Sequence, residues 1–274
     1  MPRFDARVAF ITGASSGIGA ALAREFARQG LDIALAARRT DRLATLAREI
    51  EARGRRALAL SCDVTRDGDL EAAVAQTRER LGPIDVLVAN AGFGVLGRFD
   101  RLTIADYRRQ LETNVFGVLR TIYAGLEDLK SRRGRIVLIG SVNAYLALAG
   151  SSPYSMSKFA LRALADALRH ELAREDVTVT LVNPGFVESE IHQIDNRGAR
   201  HPDARSPVPP WLRMSAPRAA RKIVRATRRR RAEVGITRHG KLAILLQRHA
   251  PGALRAAVRA LSIAARREPR GRPG

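Results

Sequence analysis

Short apolar runs without polar alternation recur along the chain: VAFIT (8–12), DIALAA (32–37), ALALSC (57–62), DVLVA (85–89), RIVLIG (135–140) and VTVTLV (177–182). A strand that is apolar at every position has no face for water, so both faces of its sheet must be covered. Helix-patterned stretches separate the runs, among them 18–29, 40–53 and 68–81, the second ended by Gly54 and the third by Gly82-Pro83. This order predicts an α/β fold: a Rossmann-like, doubly wound parallel sheet in a single domain. Its ligands bind beyond the carboxyl ends of the strands.

The net charge of +21 is unevenly placed. Residues 213–274 hold 18 Lys and Arg against two acids, Glu233 and Glu268, while the preceding 212 residues carry only +5. The basic character belongs to the C-terminal quarter, and no recognised nucleic-acid motif accompanies it, so nucleic acid is an unfavoured partner. A lone cysteine, Cys62, excludes an internal disulfide and suits a reducing interior. The opening MPRFDARVAFITGA lacks the layout of a signal peptide, and LAILL (242–246) falls far short of the ~18 residues of a membrane span. A cytoplasmic protein is expected. Histidines 170, 192, 201, 239 and 249 show no metal-ligand spacing, so no metal is expected and surface positions are.

The first run leads into TGASSGIG (12–19). Glycines between a strand and a helix let backbone approach a pyrophosphate, which then sits on the helix N-terminus. Gly13, Ser15, Ser16, Gly17, Ile18 and Gly19 are therefore candidate cofactor contacts. NAD-specific sites place an acid at the end of the second strand, about 20 residues further on. Here LAARRT puts Ala36, Ala37, Arg38 and Arg39 there. No carboxylate repels a 2′-phosphate, and Arg38 and Arg39 can pair with one, so NADP(H) is expected rather than NAD(H). After the third strand, Asp63 beside Val64 is open to two readings, hydrogen-bonding an adenine edge or capping the next helix. The small residues Asn90, Ala91 and Gly92 after the fourth let a flat cofactor lie close.

In SSPYSMSKFAL (151–161), Tyr154 precedes Lys158 by four residues. On a helix the two share a face, and a cation beside a phenol favours its ionised form, which would poise Tyr154 for proton exchange.

These motifs, in this order over roughly residues 6–190, resemble the short-chain dehydrogenase/reductase superfamily. The resemblance implies an NADP(H)-dependent oxidoreductase moving a hydride between nicotinamide and a carbonyl or alcohol. The alternative is a non-catalytic NADP(H)-binding regulator or scaffold, and that would predict loss of the reactive residues. By the family pattern Tyr154 is the general acid or base. Lys158 lowers its pKa and holds the nicotinamide ribose. Ser141, thirteen residues before Tyr154, holds the substrate oxygen, and Asn114 supports a proton relay, where the bland reading is a helix-interior Asn bonding its own backbone. Pro184, Gly185, Val187 and Ser189, in PGFVES, are carried over as cofactor contacts, with Ser189 standing where the family often has Thr.

The resemblance also places a variable substrate loop or lid over 186–215. Phe93, Val95, Leu96, Asn143, Tyr145, Phe186, Ile191 and Trp211 are the expected pocket walls, mostly apolar, which suggests a hydrophobic substrate. AEVGIT (232–237) is the expected last strand, and Ser215 with Pro217 an expected helix start. The catalytic domain is thus expected over 1–238, with 239–274 a basic helical extension ending in disorder. Within it Leu254, Ala257, Val258, Leu261 and Ala265 share a face, with Arg255, Arg259, Arg266 and Arg267 largely elsewhere. Such a helix suits packing on the surface or a peripheral membrane contact. A homodimer or homotetramer is expected through the long helices after the fourth and fifth strands.

Overall fold

The computed structural model describes residues 4–259 apart from 205, 207 and 257. Strands β1 (Val8–Thr12), β2 (Asp32–Ala37), β3 (Ala57–Ser61), β4 (Val86–Ala89), β5 (Arg135–Ile139), β6 (Thr178–Asn183) and β7 (Glu233–Gly235) form one sheet. Every pairing is parallel, in the order β3-β2-β1-β4-β5-β6-β7. The helices are α1 (Gly17–Arg28), α2 (Thr40–Glu51), α3 (Asp69–Arg80), α4 (Ile104–Leu111), α5 (Gly117–Arg132), α6 (Ser152–Glu171), α7 (Ala216–Arg228) and α8 (Arg238–His249).

The uninterrupted apolar runs are explained by where alternate residues go. Ala9 and Ile11 of β1 join one core with Leu22 and Phe26 of α1, Leu43 of α2 and Ile223 of α7. Val8 and Phe10 join the other, with Leu70 of α3, Ile122 of α5 and Leu161 of α6. Each face of the strand is therefore dry. From β1 the chain moves outward through β2 and β3, then returns to place β4 on β1's other side. That reversal opens a crevice at the carboxyl ends of β1 and β4. Buried Asp85 sets the entry to this central pair, accepting from the amides of Arg7 (2.8 Å) and Val8 (2.9 Å) and from Arg132 Nε (3.0 Å).

Towards the C-terminus, α7 begins at Ser215-Ala216-Pro217 as expected, although the Ser215 hydroxyl makes no capping hydrogen bond. The last strand is shorter than AEVGIT, at three residues. Tyr145, expected as a pocket wall, fastens α8 to this strand. It is 3% exposed, its hydroxyl donates to Glu233 Oε1 (2.6 Å), and Asn183 Nδ2 donates to the same oxygen (2.9 Å). Arg248 of α8 pairs with Glu233, and the guanidiniums of Arg162 and Arg248 lie 4.1 and 5.5 Å from the Tyr145 ring centroid. With two cations over its ring and a carboxylate on its hydroxyl, Tyr145 is committed to the β7–α8 contact. Helical residues resume at 251–256 and 258–259, with Leu254 buried. Ala257, Leu261, Ala265, Arg266, Arg267 and the expected disordered end lie outside the described residues. No described helix is long and apolar enough to cross a membrane.

Candidate active site

Strand β1 ends at Thr12, whose Oγ1 accepts from the amides of Asn90 (3.1 Å) and Ala91 (3.2 Å) after β4. Asn90 Nδ2 donates in return to the carbonyls of Thr12 (2.9 Å) and Gly13 (3.1 Å). The glycine turn is thereby tied to the Asn90-Ala91-Gly92 turn. Gly13 has φ 64°, and a side chain at Gly19 would stand 2.3 Å from the Gly13 carbonyl oxygen and 2.6 Å from Asn90 Nδ2. No residue larger than glycine fits there without moving backbone. Helix α1 then starts with no side-chain cap and no acid in its first turn, so its first amides face the crevice unpartnered by side chains.

Arg39 is the guanidinium brought to this turn. Its Nε and Nη2 donate to Ser15 Oγ (3.2 and 3.0 Å), and Nη2 also donates to Ser16 Oγ (2.7 Å). Arg38 is mostly exposed, with Nη1 3.9 Å from Asp63. Asp63 does not cap α3, whose N-cap residue is Gly68. Its Oδ1 instead accepts from Thr65 N (3.0 Å) and Oγ1 (2.8 Å), closing a tight turn. Val64 is buried there, against Gly117. Glu190, which no sequence motif marked, accepts from Arg39 Nη1 (2.7 Å) and Arg42 Nη1 (2.8 Å). Burial alone would raise its carboxyl, but the hydrogen bonds from Arg42 and Arg39 bring it down to about 2.

Asn114 lies in a π-helical turn (Glu112–Phe116) joining α4 to α5 and is buried. Its side chain does not bond its own backbone. Oδ1 accepts from Phe93 N (3.2 Å), while Nδ2 donates to Phe93 O (3.0 Å) and Ser157 Oγ (3.2 Å). Asn114 therefore bridges the segment after β4 to α6, beside Lys158. A π-turn at such a place re-aims one side chain out of the helical register.

Helix α6 begins at Ser152, with Pro153 in its first turn, so Tyr154 and Lys158 share a helical face as the spacing predicts. The Lys158 ammonium is 5.6 Å from the Tyr154 ring centroid and donates to the Ile139 carbonyl (2.9 Å) at the end of β5. Burial lowers Lys158 from 10.5 to about 8. Burial also raises the Tyr154 phenol, and a hydrogen bond with Ser141 pulls it partly back. The expectation that Lys158 would draw the phenol down does not describe this state. Desolvation disfavours both charged forms and outweighs their attraction, so Tyr154 holds its proton at neutral pH. Ser141 is buried at the end of β5, and its Oγ accepts from Asn143 N (3.1 Å).

Around this centre, Pro184 O accepts from Val142 N (2.9 Å), which fixes the turn after β6 against Ser141. Phe186 N donates to His239 Nε2 (3.1 Å), and the two rings lie 5.3 Å apart. Burial lowers His239, which favours the neutral ring that an accepting nitrogen requires. His239 is thus a positioning residue where a surface histidine was expected. Phe93 and Val95 are buried, Val95 with its amide on Gln110 Oε1 (2.5 Å). Leu96 and Phe186 are partly exposed, and Trp211 is 82% exposed. Asn143 Nδ2 reaches Ser155 Oγ (3.3 Å), and Ile191 is half-buried. The 186–215 segment is fastened at both ends. Val187 pairs with Met214, with Glu188 N donating to Met214 O (2.9 Å), and Asn196 exchanges bonds with Leu96 N (2.9 Å) and O (2.7 Å). Among the described residues no cluster of His, Cys, Asp and Glu is arranged to hold a metal.

The family model for short chain dehydrogenases matches residues 7–199. The chain is 39% identical over 180 residues to the 3-ketodihydrosphingosine reductase of Bos taurus, covering 64% of this chain and 54% of that protein. The chain thus spans about half the length of that curated relative. Among solved structures, an alcohol dehydrogenase from the archaeon Thermococcus sibiricus complexed with 5-hydroxy-NADP aligns with a TM-score of 0.72 and 30% identity. That alignment covers 84% of this chain and 95% of the other. A gluconate 5-dehydrogenase from Burkholderia cenocepacia, in complex with NADP and tartrate, aligns with a TM-score of 0.75 and 27% identity, covering 88% and 97%.

Proposed function

Because this chain belongs to the short-chain dehydrogenase family, we propose that it is an NADP(H)-dependent oxidoreductase acting on a hydrophobic carbonyl or alcohol, with Tyr154 as its general acid and base. The observation that carries this reading is the Tyr154 phenol, hydrogen-bonded with Ser141 and backed by the buried Lys158 ammonium. When bound, the nicotinamide supplies or accepts the hydride. The residues present fit such a cofactor: the crowded glycine turn leaves room for backbone alone, the α1 amides face outward, and Arg39 lies at the turn. Gly13, Ser15, Ser16, Gly17, Ile18 and Gly19 would hold the pyrophosphate, and Arg39 the 2′-phosphate. Asp63, Val64, Asn90, Ala91 and Gly92 would line the adenosine and ring side. Pro184, Gly185, Val187 and Ser189 would cover the nicotinamide.

In the reducing direction Ser141 holds the carbonyl oxygen, and Tyr154 hands its proton to that oxygen as charge develops. The Lys158 ammonium then stabilises the phenolate left behind. Asn114, bonded to the neighbouring Ser157, sets the α6 face from which both side chains project. Phe93, Phe186, Ile191 and Trp211 would meet an apolar substrate, and the cattle relative is by its name a reductase of a keto compound, 3-ketodihydrosphingosine.

The exposed side chains of Phe116, Tyr123, Met156 and Phe159, on α5 and α6 or next to them, support a subunit contact there. Exposed Leu242, Leu245 and Leu246 of α8, interleaved with Arg238, Lys241 and Arg248, support a peripheral contact with an anionic membrane. The buried thiol of Cys62, pushed up to about 12 by burial and nearby acids, suits a cytoplasmic setting.

Turnover with NADPH and NADH in parallel, across ketones and aldehydes of increasing chain length, tests the reading. NADPH-preferring turnover that improves with chain length is expected, and NADH preference would overturn the cofactor assignment. The Arg39→Gln variant is expected to bind NADPH about 10-fold more weakly or worse, with NADH little changed. Isothermal titration of both cofactors checks this, and equal losses for the two would show that Arg39 only props the glycine turn.

A further inference from the structure

Glu190 opens the segment that crosses from β6 to α7, and three guanidiniums surround its carboxylate. Arg39 Nη1 lies at 2.7 Å, Arg42 Nη1 at 2.8 Å and Arg200 Nη2 at 3.2 Å. Arg39 and Arg42 follow the carboxyl end of β2, where a doubly wound fold receives the 2′ substituent of a dinucleotide. The preceding residue packs on the glycine turn itself: Ser189 Cβ is 3.2 Å from where a Gly17 side chain would stand. An anion therefore already occupies the cationic seat beside the glycine turn.

The donors of Arg39 leave little room for a second one. A guanidinium has five N–H groups. Nε and Nη2 are engaged by Ser15 and Ser16, and one Nη1 hydrogen by Glu190. A phosphate cannot take up Arg39 through two parallel bonds while these contacts persist. Two anions on one guanidinium also repel each other across a few ångströms of partly desolvated space.

We propose that Glu190 is an internal competitor for the cofactor's 2′-phosphate: its carboxylate fills the Arg39–Arg42 seat, yields it when the phosphate enters, and so weakens the preference for NADP(H) and unties the start of the β6–α7 crossing from that seat. This inference rests on the NADP(H) reading above. Competition and cofactor choice are linked through one site, because only a ligand bearing the 2′-phosphate must evict Glu190, and NADH need not. Untying Glu190 changes the contacts at the start of a crossing that also carries Trp211, while the Val187–Met214 pairing and the Asn196–Leu96 bonds stay in place.

The test is equilibrium binding of NADPH, NADH and 2′,5′-ADP to the full chain and to Glu190→Gln, at one fixed salt concentration. Glutamine keeps the size of the side chain and removes the competing charge. NADPH and 2′,5′-ADP are expected to bind about tenfold tighter to the variant, and NADH to shift by less than about twofold. Retained NADH binding doubles as the control for folding. Trp211 is the only tryptophan of the chain, and it follows Glu190 on the same crossing from β6 to α7. Its emission is expected to change when 2′,5′-ADP binds the unaltered chain, and the variant alone is expected to show most of that change.

A common shift for NADPH and NADH would overturn the inference and leave Glu190 as a plain tether of the segment. Weaker NADPH binding by the variant would overturn it the other way, making the carboxylate an ally of the phosphate. Trp211 emission indifferent to 2′,5′-ADP in both proteins would overturn the untying. If neither protein binds 2′,5′-ADP and both bind NADH, the NADP(H) reading itself fails, a pattern distinct from all of these.

Discussion

Tyr154→Phe is expected to lower kcat for carbonyl reduction by about 10³-fold, in the middle of what a positioned general acid contributes. The change removes one oxygen from a residue that sits half-buried on the first turn of α6, so the fold loses little. The lost hydrogen bond with Ser141 is expected to cost about 1 kcal/mol of stability. Cofactor affinity is expected to stay within about threefold, because the phenol acts on the substrate oxygen and the glycine turn is untouched. Steady-state turnover beside cofactor titration separates the two quantities. A variant keeping a tenth of the activity would place the proton donor elsewhere, with Ser141 the next group to examine.

Lys158→Met is expected to move activity and stability in opposite directions. Turnover should fall about 10²-fold or more, since the ammonium that steadies the developing phenolate is gone. Stability at pH 7 should rise by about 1–3 kcal/mol, because burial opposes the charge that Lys158 carries there. The sign follows from the shift. Below about pH 8 both folded and unfolded chains carry the proton, and the folded state bears the full penalty of the buried charge. Between about 8 and 10.5 the folded chain releases the proton while the unfolded chain keeps it, so native stability rises with pH relative to the variant. The gap between the two proteins should therefore be widest below pH 8 and narrow above it. Denaturant unfolding at a series of pH values reads that gap. The same proton should appear in catalysis as a fall in kcat for reduction through about pH 8, a limb the methionine variant should lack. A variant less stable than the parent at every pH would show that the bond from Lys158 to the Ile139 carbonyl outweighs the buried charge.

Much of the catalytic geometry was legible because it is local. The Tyr154–Lys158 spacing needs only a helix to place the pair on one face, and Ser152-Pro153 starts that helix. The glycine turn is equally local: a strand, a turn too tight for a Cβ at Gly19, and a helix follow within a dozen residues. The missing acid after β2 was legible for the same reason, as a composition at one strand end. Arg38 and Arg39 were harder to tell apart. In an arginine-rich chain either could reach the turn, and only the path of the backbone brings Arg39 onto Ser15 and Ser16 while Arg38 stays mostly exposed.

The sequence by itself determined the α/β class, the order of strands and helices, the glycine turn and the Tyr154–Lys158 face. Each of these is set by periodicity or spacing within one or two turns of chain. Tertiary structure alone decided what Glu190 meets 151 residues away in Arg39, and that the Tyr145 hydroxyl meets Glu233, 88 residues on. It also decided that Asn114 bridges Phe93 and Ser157, and that His239 receives the Phe186 amide. The protonation of Tyr154 belongs here too, since a local cation promised a lowered phenol and burial raised it. Side-chain partners and desolvation depend on which distant segments fold back onto a residue, and no local pattern encodes that return.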